Sequence, residues 1–156
     1  MAGLYFPKKA NLTSFSDEQE RALRDAVELL RGADLPHGWL SDLGGLAFYS
    51  DKGMTPENGV MGMTSFLRSK EVLVAEFLAR QITWEASGVP NNEMAMAVVV
   101  HELTHLAQRR WLFGLAWLVL NIPGVDRLTL ERWAVENQEA AQDFLAGRYR
   151  EMRQAD

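Results

Sequence analysis

Cysteine is absent from this chain. That excludes a disulfide framework and any metal site built on thiolates. Histidine is scarce as well, with three residues. Basic charge is not concentrated anywhere: Lys and Arg total 16 against 21 Asp and Glu, a net charge of −5. With no long basic run, nucleic acid is not an expected partner. No apolar run reaches the roughly 20 residues that a membrane helix needs. The N-terminal stretch Met1 to Lys9 lacks a signal peptide's order of charge, long apolar stretch and cleavage site. A cytoplasmic location is therefore expected, although export by a specialised machine would leave no such trace. No internal repeat, low-complexity tract or linker divides the chain. Its 156 residues, 47% hydrophobic and 24% charged, suit one globular domain over 1–156 with a real core.

Against that spare background, two of the three histidines fall within five residues, His101-Glu102-Leu103-Thr104-His105. On a helix, positions four apart share one face, so the two imidazoles stack one turn above the other. Two neutral imidazoles so placed can hold one Zn²⁺. The carboxylate of Glu102 can then take a proton from a water that the metal activates. The surrounding segment, Met94 to Val100, is apolar and helix-compatible. Asn92 is a plausible N-cap, with Glu93 favourable in the first turn.

The rest of the chain reads as an α+β unit. Residues Ser16 to Arg31 form a helix, opened by a Ser16–Gln19 capping box and stopped at Gly32. The stretch 33–45 is turn-rich. Three short strands are expected, at Leu46 to Ser50, Val60 to Thr64 and Glu71 to Ala75. The last could instead start a helix through Gln81. The HExxH helix follows, then the continuously apolar Trp111 to Leu120. This segment is either a core helix or hairpin, or a patch that docks a partner or touches a membrane surface. A final helix runs from about Asp126 toward Arg153.

Two histidines leave a catalytic zinc one protein ligand short, with a further position open to water. An extended HExxHxxGxxH site is excluded, because Gln108 and Trp111 stand where glycine and histidine would. His37 lies in a Pro/Gly-rich loop and reads as a surface or loop-packing residue. The third ligand is thus sought among carboxylates of the last helix, Glu131, Glu136, Glu139 and Asp143. Glu131 is favoured, since Ala134 in Glu131-Arg132-Trp133-Ala134 would let that helix approach closely. Glu139 is the alternative, with Asp143 supporting a ligand histidine; Glu136 points well away from Glu131. Gln108 falls on the ligand face, one turn past His105, where it would contact a ligand or substrate, or cap a buried polar group. Tyr49, Tyr149 and Arg132 are candidate oxyanion donors.

HExxH followed by a helical glutamate resembles the gluzincin group of zinc metallopeptidases. The order of strands, HExxH helix and ExxA helix is similar to the minimal bacterial and phage ImmA/IrrE-like peptidases. The string His101 to Gln108 also resembles the HELTHxxQ helix of metallopeptidase-like domains in toxin cassettes. Val135 departs from the Asn or Asp that often follows ExxA in these families. The resemblance implies a minimal zincin-like fold with a small three-stranded sheet. It implies a zinc peptidase with His101, His105 and Glu131 as ligands and Glu102 as general base. It also implies a strand, either Val60 to Thr64 or Glu71 to Ala75, that receives an extended peptide substrate. A non-catalytic, zinc-stabilised interaction domain that docks a partner through 111–120 is the alternative function.

Overall fold

The computed structural model describes residues 5–64, 70–82, 89–111 and 127–155. A single 3-10 turn, Lys9–Asn11, leads into β1 (Leu12–Ser14) and then helix α1 (Asp17–Leu30). Strands β2 (Ala47–Asp51), β3 (Gly62–Thr64) and β4 (Glu71–Ala75) follow. Then come the short helix α2 (Glu76–Ala79), the long α3 (Glu93–Trp111) and α4 (Arg127–Gln154). The architecture is α+β, as expected from the sequence. Most of the apolar 111–120 segment lies outside the described residues, as does the break that follows it. No helix among the described residues is long and apolar enough to cross a membrane.

The expected three-stranded sheet is corrected to four strands, in the order β1-β2-β4-β3. Leu12–Ser14 adds itself antiparallel to β2, with Leu12 opposite Asp51. Three residues, one of them apolar, carry too little alternation to announce a strand. β2 and β4 run parallel at the centre, and β3 closes the other edge antiparallel to β4. Four of the five residues of β4 are buried, as befits an interior strand covered on both faces. The chain leaves β4 directly into α2, so the strand and helix readings of this region each hold for part of it.

Helix α1 buries Ala22, Leu23, Ala26, Val27 and Leu30, one stripe at helical spacing. Its capping box forms: Gln19 N–H donates to Ser16 Oγ at 3.1 Å, and Ser16 N–H donates to Gln19 Oε1 at 2.9 Å. The remaining amide hydrogens of Gln19 reach the Ala79 carbonyl at 3.0 Å and tie α1 to the end of α2. Arg31 is the C-cap. Gly32 follows without a left-handed φ; among the described residues only Gly45 and Gly59 adopt one.

Helix α3 runs through the core, with Ala95 to Val100 all buried. Its partner is α4, and the two are antiparallel, because polar partners along their seam run in opposite directions. Asn92 meets Tyr149, Thr104 meets Asn137, and Gln108 meets Leu130. Asn92 sits just before α3, but its Oδ1 accepts from the Tyr149 hydroxyl at 2.6 Å. The loop after α1 is pinned to the same pair. Asn137, fully buried, accepts from His37 N–H and donates to the His37 carbonyl and to Thr104 Oγ1. Leu40 N–H donates to the Leu103 carbonyl.

Candidate metal centre

The HExxH residues lie in the middle of α3 and face α4. His101 and His105 present their Nε2 atoms to one another at 3.2 Å. Glu131, in the first turns of α4, meets both: Oε1 lies 2.7 Å from His101 Nε2 and Oε2 lies 2.9 Å from His105 Nε2. These three residues form a group able to hold a metal ion. A tetrahedral zinc with bonds of about 2.0–2.1 Å separates its ligand atoms by about 3.3 Å, so the donor set fits with only small outward shifts. The donors are nitrogen and oxygen only, as a chain without cysteine requires.

The electrostatics follow from this convergence. The hydrogen bonds from His101 and His105 hold the Glu131 carboxyl well below the usual carboxylate range, against a smaller opposing effect of burial. For His101, burial disfavours the charged ring, but the hydrogen bond to Glu131 and the charges of Glu102 and Glu131 outweigh it. The net effect raises its pKa.

Both far ring nitrogens are also engaged. His101 Nδ1 is 2.7 Å from Gln138 Oε1, and His105 Nδ1 is 2.9 Å from Gln108 Oε1. Gln108 therefore contacts a site histidine, the first of its expected roles, and also satisfies a backbone carbonyl. Gln138 escaped the sequence reading. It lies seven residues after Glu131, two turns along the same face of α4, a spacing that polar residues facing water share.

Glu139 is exposed and lies outside the His101–His105–Glu131 group, as do Glu136 and Asp143. Glu136 instead meets His37 Nε2 at 3.0 Å. The His37 ring stacks on Trp133 with centroids 5.0 Å apart, so His37 packs a loop, as expected. Of the candidate oxyanion donors, Tyr149 is committed to Asn92, and Arg132 lies 3.9 Å from Glu136. Tyr49 sits within β2, paired with β1 and β4. None of the three lines the cleft over the site.

That cleft has a volume of about 410 Å³ and is lined by Gly59 to Gly62, Val98, His101, Glu102, His105, Glu131 and Gln138. Its size is within the range of small-ligand and peptide side-chain sites. Glu102 is 6% exposed and forms part of its floor. The opposite wall is β3 and the loop before it. Asn58 braces that loop, accepting from Thr55 and Val60 N–H and donating to the Gly53 carbonyl. Gly59, at φ 72°, then turns the chain in a conformation that a side chain would resist. At Gly62 the strand comes close to α3. A Cβ there would lie 2.8 Å from Val98 Cγ1 and 3.2 Å from Glu102 Cγ.

Strand β3 also presents backbone to the cleft side. Ala75 N–H donates to the Met61 carbonyl, which makes Met61 and Ala75 a hydrogen-bonded pair. Antiparallel pairs alternate, so the Gly62–Val74 pair is the non-bonded kind. The N–H and C=O of Gly62 accordingly point away from β4, toward the open edge of the sheet. Comparison with protein-family models, curated proteins and solved structures finds no match for this chain.

Proposed function

We propose that this protein is a zinc-dependent peptidase of the gluzincin kind, acting on a protein or peptide in the cytoplasm. The observation that carries the reading is the convergence of His101 Nε2, His105 Nε2 and both Glu131 oxygens beside Glu102, on the floor of an open cleft. When bound by those three side chains, zinc supplies Lewis acidity, which acidifies water and polarises a peptide carbonyl.

The chain's own groups perform the remaining tasks. Glu102, next to His101 on α3, accepts the proton of the attacking water and returns it to the leaving amine. Its burial beneath Gly62 limits the ways its carboxylate can turn. An extended substrate lies along β3, exchanging hydrogen bonds with the outward N–H and C=O of Gly62. The presence of a carboxylate base favours an enzyme over a structural zinc domain, which has no use for one.

The test is Glu102→Gln, read by zinc content and by hydrolysis of a mixed peptide substrate. The variant should keep zinc and lose about 10²- to 10⁴-fold in turnover, the usual contribution of a general base. Turnover at the wild-type rate would remove Glu102 from the mechanism. If wild-type protein binds zinc, cleaves nothing and unfolds under chelator, the zinc-stabilised interaction domain takes its place.

A further inference from the structure

We propose that Gln138 is a substrate-binding residue: its free NH₂ donates to a backbone carbonyl flanking the scissile bond, from the side of the cleft across from β3. This role belongs to the peptidase reading above. Once the three prospective ligands, Glu102 and the wall formed by Gly59 to Gly62 are set aside, two described residues line the cleft, Val98 and Gln138. Val98 is apolar and buried. Gln138 is therefore the one of the two that can donate a hydrogen bond to a bound peptide. The three donors expected from the sequence are all engaged elsewhere in the fold.

The amide of Gln138 has one end occupied and one end free. Oε1 lies 2.7 Å from His101 Nδ1. The NH₂ makes no hydrogen bond to any described residue, and it is not shut away in the interior. Its direction is fixed from behind. Asn137, the next residue back, is fully buried and bonded to both backbone groups of His37 and to Thr104 Oγ1, which sets the rotation of α4. Helix α3 packs on both β3 and α4, so it forms the floor between them. A peptide over that floor has strand backbone on one side and Gln138 on the other. In an extended chain, successive residues turn their N–H and C=O groups to opposite edges. One residue bonds Gly62; its neighbour turns its carbonyl away from β3, toward α4. The His101 ring separates Gln138 from the atoms that converge on Glu131, so the carbonyl it meets is one beside the scissile group. Every peptide offers such a carbonyl, so this contact holds the substrate without reading its sequence.

Two substitutions separate donation to substrate from support of His101. Gln138→Met keeps the length of the side chain but cannot donate. Gln138→Glu keeps an oxygen beside His101 Nδ1 but replaces the NH₂. On a fluorogenic peptide chosen for cleavage by wild-type protein, KM should rise about tenfold or more in both variants with kcat near wild type, the pattern of one lost ground-state hydrogen bond. Zinc affinity, read by competition with a chromophoric chelator, should stay at the wild-type level in Gln138→Glu. A wild-type KM in Gln138→Glu overturns the proposal, since Gln138 would then act only through His101. An unchanged KM in both variants overturns it as well. Should Gln138→Met not fold, the Glu variant decides. Should wild-type protein cleave nothing, the peptidase reading fails, and fluorescence anisotropy of a labelled mixed-sequence peptide pool on zinc-loaded protein decides this one. Weaker binding by Gln138→Glu than by wild type supports the contact; equal binding, or none by either, overturns it.

Discussion

Glu131 accepts from two imidazoles and is itself about half-exposed. Its neighbours on α4 offer comparable carboxylates, but among the described residues none joins His101 and His105. Glu131→Ala should therefore lower zinc affinity steeply, whereas Glu139→Ala should leave it within about twofold, since exposed substitutions away from a site change little. Metal analysis after dialysis checks this, and the opposite ranking would move the third ligand to Glu139. The same cluster sets a pH dependence. Glu131 has a depressed pKa, so its contribution to the metal-free fold is present above its ordinary value of 4.5 and fades as pH falls. His101 has a raised one, so its contribution is full below its ordinary value of 6.5 and fades as pH rises through the raised value. Metal-free protein should thus melt highest between those two values. Zinc competes with the protons for the imidazoles, so its affinity should fall as pH drops through the raised His101 value. Thermal melts with and without chelator, at about pH 5.5 and about pH 8, would expose the opposed trends. A chelated protein that melts highest at the alkaline end would contradict them.

Among the described elements, β3 tolerates little change at Gly62. It is three residues long, is paired to β4, and is pressed at Gly62 against Val98 and Glu102. Gly62→Ala must push the strand outward or shift the two side chains. Overpacking of this sort costs about 1–3 kcal/mol. Turnover should fall while zinc affinity stays near wild type, because the ligands sit on α3 and α4. Unchanged turnover would show that the strand does not position the substrate. Much of this arrangement was legible beforehand, for reasons that differ by element. The HExxH pair and the Ser16–Gln19 box are local patterns, satisfied within one or two helical turns. The central strand Glu71–Ala75 is bounded by its own apolar run. Gln138, Asn137 and the closeness of Gly62 to Glu102 are tertiary facts, made by residues far apart in the chain. On α4, a 28-residue helix rich in polar side chains, nothing local separates the one that meets a histidine from those that meet water. Leu12–Ser14 became a strand only because β2 offered it an edge.

At the level of the whole molecule, a bound metal would join helices whose contacting residues, His105 and Glu131, are 26 positions apart in the chain. Ligand that binds only the folded state stabilises it by about 4 kcal/mol at a thousandfold excess over Kd. Zinc should accordingly raise the melting temperature of the chelated protein, in proportion to the logarithm of free zinc, and the rise should vanish in Glu131→Ala. A melting temperature indifferent to zinc would argue against a site shared by the two helices. The α3–α4 seam has one more consequence. A purely apolar seam can slip by a turn and still bury its side chains. Here Asn92–Tyr149, His101–Gln138, Thr104–Asn137, His105–Glu131 and Gln108–Leu130 all depend on one alignment. A slide of one turn, 5.4 Å, would break all of them together and strand the buried ones, Asn92, Thr104, Gln108 and Asn137, without partners. The seam works as a combination lock for the pairing of the two helices: its polar contacts are made at one setting, and that setting is the one that brings the three prospective ligands together.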